Sequence, residues 1–450
     1  MSDKKKALVI GLGRSGFAAA RLVADEMEVT AWDSKDASRF KAEDLADLRK
    51  LGVKLVFGEA PSAKGFDMLI MSPGVRLDIP VVKEAKELGL EISGELELAY
   101  THCPGKFVAI TGTNGKTTTT ALVGEMVKAA GIPCKVVGNI GLPATAEAKN
   151  ADENTIMVTE VSSFQLETAK TFKPVVSAIL NITPDHLERH GSFEEYARIK
   201  GLVFANQDAS GYFVYNLDDP ETVKIVPKNG PVCVPFSRQK ELDFGASVRG
   251  GYITICDVNK TVSLVKPEEL RIPGKHNLEN ALAAAAIGYF AGVPEEALRT
   301  ALRDFPGVEH RIEFIREFKG VRYVNDSKGT NPDASIKAIE ATDTPIILIA
   351  GGYEKNSDFT EFIQHFDGKV KDILLLGVTA ERFAKRAIEL GFPEEHLHFC
   401  KDMAECVSLG TKLAVPGDTV LLSPASASWG MYNNYEERGD DFRRLAMALV

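Results

Sequence analysis

The chain has 450 residues, 44% hydrophobic and 26% charged, with a formal net charge of −10 at pH 7. That length suits about two to four domains. The acidic balance excludes DNA or another polyanion as the main partner, because phosphate neutralisation needs a basic face. Six scattered cysteines without a C-x-x-C pair predict reduced thiols in a cytoplasmic enzyme. No apolar run approaches the ~18 residues of a membrane span, so no membrane partner is expected.

In chain order, "KALVI" reads as a strand, "GLGRSG" as a turn and "FAAARLVADE" as a helix, followed by the strands "EVTAWD" and "DMLIMS". This alternation predicts a mainly parallel sheet with helices on both faces. A Rossmann-like domain over 1–97 is expected. Gly11, Gly13 and Gly16 match G-x-G-x-x-G, and Asp33 follows twenty residues after Gly13. Alone, that is a dinucleotide fingerprint, and it makes an NAD-dependent oxidoreductase the alternative reading. The same helix N-terminus can hold the pyrophosphate of another ligand, and a purely structural glycine turn is the bland account.

"KFVAI" opens a second unit, expected over 98–306, and leads into "TGTNGKTT". This departs from G-x-x-x-x-G-K-[ST], since the first glycine would fall at Ile110. Gly112 and Gly115 still flank a tight loop, whose N–H groups and following helix make an anion site. Lys116 is expected to reach the β- and γ-phosphates of a nucleotide, and the Thr117 hydroxyl to bind Mg²⁺. Glu160, after the strand "TIMVT", suits a Mg²⁺ role or is a solvated strand end. His186, after "VVSAILNI", is a metal ligand or a structural histidine.

Ser192 and Glu195 have capping-box spacing, which starts a helix. Tyr196, Lys200 and Phe204 then fall on one face. A lysine on that stripe either snorkels to water or is buried as a neutral amine able to capture CO₂ as a carbamate. Spacing alone favours snorkelling. From 211 to 265 short alternating strands predict an added small antiparallel sheet, and "NLENALAAAAIGYFAG" is a helix.

A third, Rossmann-like unit is expected over 307–450, with strands "VRYVN", "PIILIA", "DILLLG" and "DTVLLS". The fold class is therefore α/β in three domains, the middle one a P-loop-type ATPase domain. Gly11, Asp33, Ser72, Thr111, Glu160, Thr183, Asp326, Gly351 and Ser423 each follow a hydrophobic strand. Ligands of doubly wound sheets bind at that edge.

The stretches "TGTNGKTTT", "TEVSSFQLE", "LNITPDHLERHG", "YARIK" and "GKHNLENALAA" resemble the Mur ligases, the ATP-dependent enzymes of peptidoglycan precursor synthesis. "NDSKGTNPDAS" and "LLSPASASWGMYNNYEERGDDF" are similar to those of the family's D-glutamate-adding members. The resemblance covers essentially the whole chain. It implies a monomer that joins UDP-N-acetylmuramoyl-L-alanine to D-glutamate, using ATP and Mg²⁺. Gly112, Thr113, Asn114, Gly115, Lys116, Thr117 and Thr118 would hold ATP, with Asn277, Asn280, Arg311 and Asp326. Thr117, Glu160, His186 and a carbamylated Lys200 would hold metal. Lys116, His186 and Lys200 would be catalytic.

For the UDP-sugar the resemblance implies Gly13, Arg14, Ser15, Asp33, Ser34, Ser72, Gly74 and Asn139. Around D-glutamate it implies Lys328, Thr330, Lys355, Ser428 and Tyr435. Two positions depart from the family pattern. Tyr435 stands where phenylalanine is familiar, and Tyr353 where some members carry an acidic residue.

Overall fold

The computed structural model describes residues 4–272, 274–353 and 357–450, and its strands fall into three sheets. The first holds β1 (Lys6–Ile10), β2 (Glu28–Asp33), β3 (Lys54–Phe57), β4 (Met68–Met71) and β5 (Glu91–Gly94), in the order 3-2-1-4-5 and all parallel. Ala7 to Ile10 are fully buried, the continuous apolar run of a parallel strand covered on both faces. The register pairs Ile10 with both Trp32 and Met71. Gly11, Asp33 and Ser72 therefore follow side by side on the carboxyl edge.

The second sheet is a nine-stranded one in the order 14-13-12-11-10-9-6-8-7. Its strands are β6 (Lys106–Thr111), β7 (Cys134–Gly138), β8 (Ile156–Glu160), β9 (Val176–Ile179), β10 (Tyr212–Asn216), β11 (Val232–Ser237), β12 (Gly245–Arg249), β13 (Tyr252–Cys256) and β14 (Thr261–Ser263). The antiparallel part is narrower than the sequence suggests. From β7 to β12 every pairing is parallel, and only β12–β13 and β13–β14 are antiparallel, as an edge of the same sheet. The reversal occurs at Gly250–Gly251, with φ of 56° and 82° between Arg249 and Tyr252. Two left-handed residues give a turn whose twist matches the flanking strands.

The helix Glu95–His102 joins these two sheets, with Leu96, Leu98 and Ala99 buried in an apolar cluster that also holds Val9, Phe107 and Phe172. Its two buried carboxylates are satisfied by backbone. Glu95 accepts from Thr145 N at 2.8 Å, and Glu97 accepts from Lys170 N and Thr171 N, each at 2.8 Å. Burial pushes the Glu95 carboxyl up, against those hydrogen bonds.

The third sheet holds β15 (Glu313–Phe318), β16 (Val321–Asn325), β17 (Ile346–Ala350), β18 (Val370–Leu375), β19 (Leu397–Phe399) and β20 (Thr419–Leu422), in the order 15-16-20-17-18-19. All pairings are parallel except the β15–β16 hairpin. Met1–Leu270 with His276–Phe305 form one compact unit, carrying the first two sheets; Arg271–Lys275 with Pro306–Val450 form the other. Among the described residues no helix is long and apolar enough to cross a membrane.

Candidate functional site

The phosphate loop leaves β6 at Thr111 and enters the helix Lys116–Ala129 through Gly115, with φ of 83°. A Cβ there would lie 2.2 Å from Asn280 Oδ1, so only glycine fits. Asn280, which the sequence assigned to the nucleotide, thus packs against the loop and donates to Asn277 Oδ1 at 3.1 Å. Asn181 clamps the other side. Its Oδ1 accepts from Asn114 N at 2.8 Å and its Nδ2 donates to Asn114 O at 3.1 Å. Sequence reasoning missed Asn181; the available signal was an amide side chain just after a buried strand. Thr113 Oγ1 donates to Thr183 O at 3.1 Å and lies 3.2 Å from Tyr196 OH.

Lys116 curls over this loop, its Nζ donating to Gly112 O at 2.9 Å and Thr113 O at 2.8 Å. Thr117 and Thr118 are buried in the first turn behind it. Lys200 approaches from the helix Phe193–Gly201, which Ser192 caps by accepting from Glu195 N at 3.1 Å. The snorkelling reading is overturned: Lys200 is 1% exposed. Its Nζ donates to Gly112 O at 2.8 Å and stands 4.5 Å from the Tyr196 ring centroid. Packing against the apolar stripe closes the route to water. Burial, followed by repulsion from Lys116, holds the amine well below the usual lysine range, while Asp185 opposes the shift.

Glu160 ends β8 in a buried position, and its Oε1 accepts from Asn139 Nδ2 at 2.7 Å. Its Oε2 is buried without a hydrogen-bond donor. A buried carboxylate oxygen without a donor is costly unless a cation or proton meets it, so this residue fits a divalent cation. His186 caps the helix Leu187–His190 at φ 52° and is half-exposed, 3.6 Å from Asp185 Oδ2. Among the described residues no three His, Cys, Asp or Glu side chains cluster for a metal. The remaining donors of the expected set are the Thr117 hydroxyl and Lys200.

A cavity of about 510 Å³ lies beside the first sheet. Gly13, Arg14 and Ser15 line it from the first turn, and Asp33 and Ser34 from the end of β2. Ser72, Gly74 and Asn139 complete the expected set, so all its members share one cavity; Lys35 and Gln165 also line it and were not anticipated. Asp33 braces the wall by accepting from Leu12 N at 2.7 Å and Lys35 N at 2.9 Å. Arg14 reaches across to donate to Gly141 O. A Cβ on Gly16 would meet Gly11 O at 1.8 Å, so this glycine serves close helix–strand approach.

In the C-terminal compact unit, Asp326 follows β16 and is fully buried, accepting from Ser423 Oγ at 2.8 Å and Ile312 N at 3.3 Å. Burial pushes its carboxyl up to about 6, with Arg311 and Ser423 opposing. Arg311 sits between two left-handed residues, His310 at φ 61° and Ile312 at φ 46°. Lys328 N donates to His310 O at 3.0 Å, and its Nζ stands 5.5 Å from the Tyr435 ring centroid. Thr330 N donates to Lys328 O at 2.8 Å, and Ser428 is buried after β20. Lys355 lies outside the described residues.

Arg438, also missed by sequence reasoning, ties these loops together. Its Nη2 donates to Ser327 O at 2.7 Å and its Nη1 to Ser426 O at 3.1 Å. Burial pushes this guanidinium down to about 10.

Three family profiles match in succession. They are the MurD-like N-terminal domain of Mur ligases over 5–94, the Mur ligase middle domain over 110–288, and the Mur ligase glutamate ligase domain over 310–426. The UDP-N-acetylmuramoylalanine--D-glutamate ligase of Caldanaerobacter subterraneus subsp. tengcongensis is 49% identical, over 99% of both chains. The protein of the same name from Thermoanaerobacter sp. strain X514 is 46% identical, over 99% of this chain and 98% of its own. The chain belongs to the Mur ligase family. The fold agrees: UDP-N-acetylmuramate-alanine ligase MurC of Thermotoga maritima superposes with a TM-score of 0.60 at 21% identity, covering 98% of each chain. MurF ligase of the same organism, solved in complex with ADP, gives 0.58 at 17% identity, covering 94% of this chain and 96% of its own. In a Mur ligase the glycine-rich first turn belongs to the MurD-like N-terminal domain, and nothing supports the oxidoreductase alternative.

Proposed function

We propose that this Mur ligase adds D-glutamate to UDP-N-acetylmuramoyl-L-alanine, with cleavage of ATP to ADP and phosphate, during peptidoglycan precursor synthesis. The observation that carries the reading is the full-length relationship, 49% identical, to a protein named for that reaction. In this reading residues 1–97 take the UDP-sugar, 98–306 the ATP and 307–450 the amino acid. The enzyme works as a cytoplasmic monomer on small molecules alone.

The chemistry follows from a poor leaving group. A carboxylate does not condense with an amine at neutral pH, because oxide cannot leave. The alanine carboxylate of the UDP-sugar first attacks the terminal phosphoryl group, giving an acyl phosphate and ADP. The D-glutamate amine then attacks the acyl carbon, and phosphate leaves from the tetrahedral intermediate. Lys116 and the loop N–H groups of Gly112 to Thr118 bind the phosphates and offset the repulsion between two anions. Asn277, Asn280, Arg311 and Asp326 hold the rest of the nucleotide. Thr117, Glu160, His186 and Lys200 as a carbamate hold Mg²⁺, which when bound supplies positive charge against the phosphoryl oxygens. A neutral buried amine is the form of lysine that captures CO₂, and the carbamate it gives is an anion.

Asn139 orients Glu160 and faces the sugar's reacting end. Gly13, Arg14, Ser15, Asp33, Ser34, Ser72 and Gly74 seat the UDP group, and Lys328, Thr330, Lys355, Ser428 and Tyr435 seat D-glutamate. The test is phosphate release from ATP in the presence of both acceptors, with the amide product identified by mass spectrometry. Release that is equal without either acceptor sinks the reading.

A further inference from the structure

The stretch "DHLERHG" contributes more than His186. Arg189, in the same short helix, has a side chain only 11% exposed. Its Nη2 donates to Glu167 Oε2 at 2.6 Å and its Nε to Glu167 Oε1 at 3.4 Å. The same Nη2 donates to Val75 O at 3.1 Å, and Nη1 to Gly74 O at 3.5 Å. The guanidinium also lies over the Phe164 ring, 4.3 Å from its centroid. That ring in turn rests 4.9 Å from the ring of His186.

These contacts join two places that the sequence keeps far apart. Gly74 and Val75 form part of the wall of the 510 Å³ cavity, as does Gln165, two residues before Glu167. Phe164 is the ring that touches His186, one of the residues expected to hold metal. One rigid, planar cation therefore holds the cavity wall by its carbonyls, a carboxylate by its fork and an aromatic face by stacking. A lysine ammonium is a compact point charge and cannot make all three contacts at once. Nearly enclosed charge-assisted bonds of this kind fix position, because breaking one leaves a buried charge unpaired.

We propose that Arg189 is a positioning residue that couples occupation of the sugar-nucleotide cavity to the placement of His186. The inference rests on the functional reading above, in which that cavity takes the UDP-sugar and His186 helps to hold the Mg²⁺ of the nucleotide. A ligand seated against Gly74 and Val75 fixes the turn whose carbonyls Arg189 holds. The guanidinium, Phe164 and His186 then settle in one arrangement, and the nucleotide binds to a site already ordered. The effect is reciprocal, because coupling between two binding events is a single free energy.

Isothermal titration calorimetry tests this on the full chain, with a non-hydrolysable ATP analogue and Mg²⁺ titrated with and without saturating UDP-N-acetylmuramoyl-L-alanine. In the wild type the sugar nucleotide is expected to tighten analogue binding by roughly 5- to 20-fold, and the analogue to tighten sugar-nucleotide binding by the same factor. In Arg189→Lys that ratio should fall to within about twofold of unity, while each ligand alone still binds within about threefold of its wild-type affinity. Glu167→Gln, which keeps the shape and removes the charge, should lower the ratio by a smaller factor and provides the reading if the lysine variant does not fold. A wild-type ratio of one, or wild-type coupling in both variants, overturns the inference. So does a loss of each ligand's own affinity with the ratio unchanged, the mark of a merely structural role. Failure of the sugar nucleotide to bind the wild type at all overturns the functional reading with it, whereas independent binding of both ligands removes Arg189's role alone.

Discussion

Moving Lys200 from water into the interface between its helix and the phosphate loop removes the hydration that normally keeps an ammonium charged. The amine is left with Gly112 O and the Tyr196 ring. Lys200→Ala should abolish ligation, to below about 1% of wild-type turnover, since one removed electrostatic contact at a phosphoryl centre costs on the order of 10²–10³ in rate. Short carboxylic acids added to the variant should restore part of the rate by standing in for the proposed carbamate. Full activity without additive would exclude the carbamate role. Asp326 has the opposite problem, a carboxylate held in a fully buried place, with its carboxyl raised from 3.8 to about 6. A raised folded-state value means that the stability contribution is complete below the unfolded value and is lost as pH rises through the folded one. Between pH 7 and 5, therefore, the wild type should gain on the order of 1 kcal/mol relative to Asp326→Asn, as the folded carboxyl takes up its proton while the unfolded one stays ionised. Calorimetric unfolding of both proteins at the two pH values measures it; a gap that does not change, or that moves the other way, contradicts the burial argument.

Between a residue and its site stands the element that carries it, and the phosphate loop shows how tightly that is drawn. Gly115 holds φ at 83° with Asn280 against the place a Cβ would take. Gly115→Ala should therefore push Asn280 away and strain the turn, lowering affinity for an ATP analogue by at least about tenfold while binding of the UDP-sugar stays near wild type, a strained backbone position of this kind costing on the order of 1–3 kcal/mol. Equal affinities in variant and wild type would show that the loop tolerates the shift. This loop was legible in the sequence because its signals are local: a strand, two glycines, Lys-Thr and a helix in succession. The Ser192 cap was legible for the same reason. Burial of Lys200 was not, because helical spacing places a lysine on an apolar stripe without saying whether the stripe ends at water. Asn181, Arg189 and Arg438 were missed because each acts on loops remote in sequence. The edge strands β15 and β19 were missed too, β15 because it is only partly buried with charged residues at Glu313, Arg316 and Glu317, β19 because three residues give no periodicity. The antiparallel region was drawn too wide because alternation marks a strand and not its direction; the paired glycines at 250 and 251 were the better sign.

The two compact units divide the chain unevenly, since Arg271–Lys275 belong with the C-terminal unit although His276–Phe305 return to the first. The residues assigned to the sugar nucleotide and to the phosphates all come from the first unit; those assigned to D-glutamate all come from the second. Such a division makes the two chemical steps separable by substitution. In the proposed reading Lys328 serves the amine-bearing substrate and not the phosphoryl transfer, so Lys328→Ala should raise the KM for D-glutamate by roughly 10- to 100-fold, the loss of one charge-assisted contact to a carboxylate. Formation of the acyl phosphate should continue, because its reactants are held elsewhere. Reductive trapping of the acyl phosphate with borohydride, run without D-glutamate, separates the two outcomes: the variant should yield as much trapped alcohol as the wild type while making far less amide. Arg311 and Asp326 lend the sharper contrast, since they lie in the second unit yet are assigned to the nucleotide. Arg311→Ala should depress trapping and amide formation together, by at least about tenfold. If Lys328→Ala instead lowered trapping as much as Arg311→Ala does, the assignment of amino-acid and nucleotide contacts to separate residues of that unit would be wrong, and Lys328 would have to be placed with the phosphates.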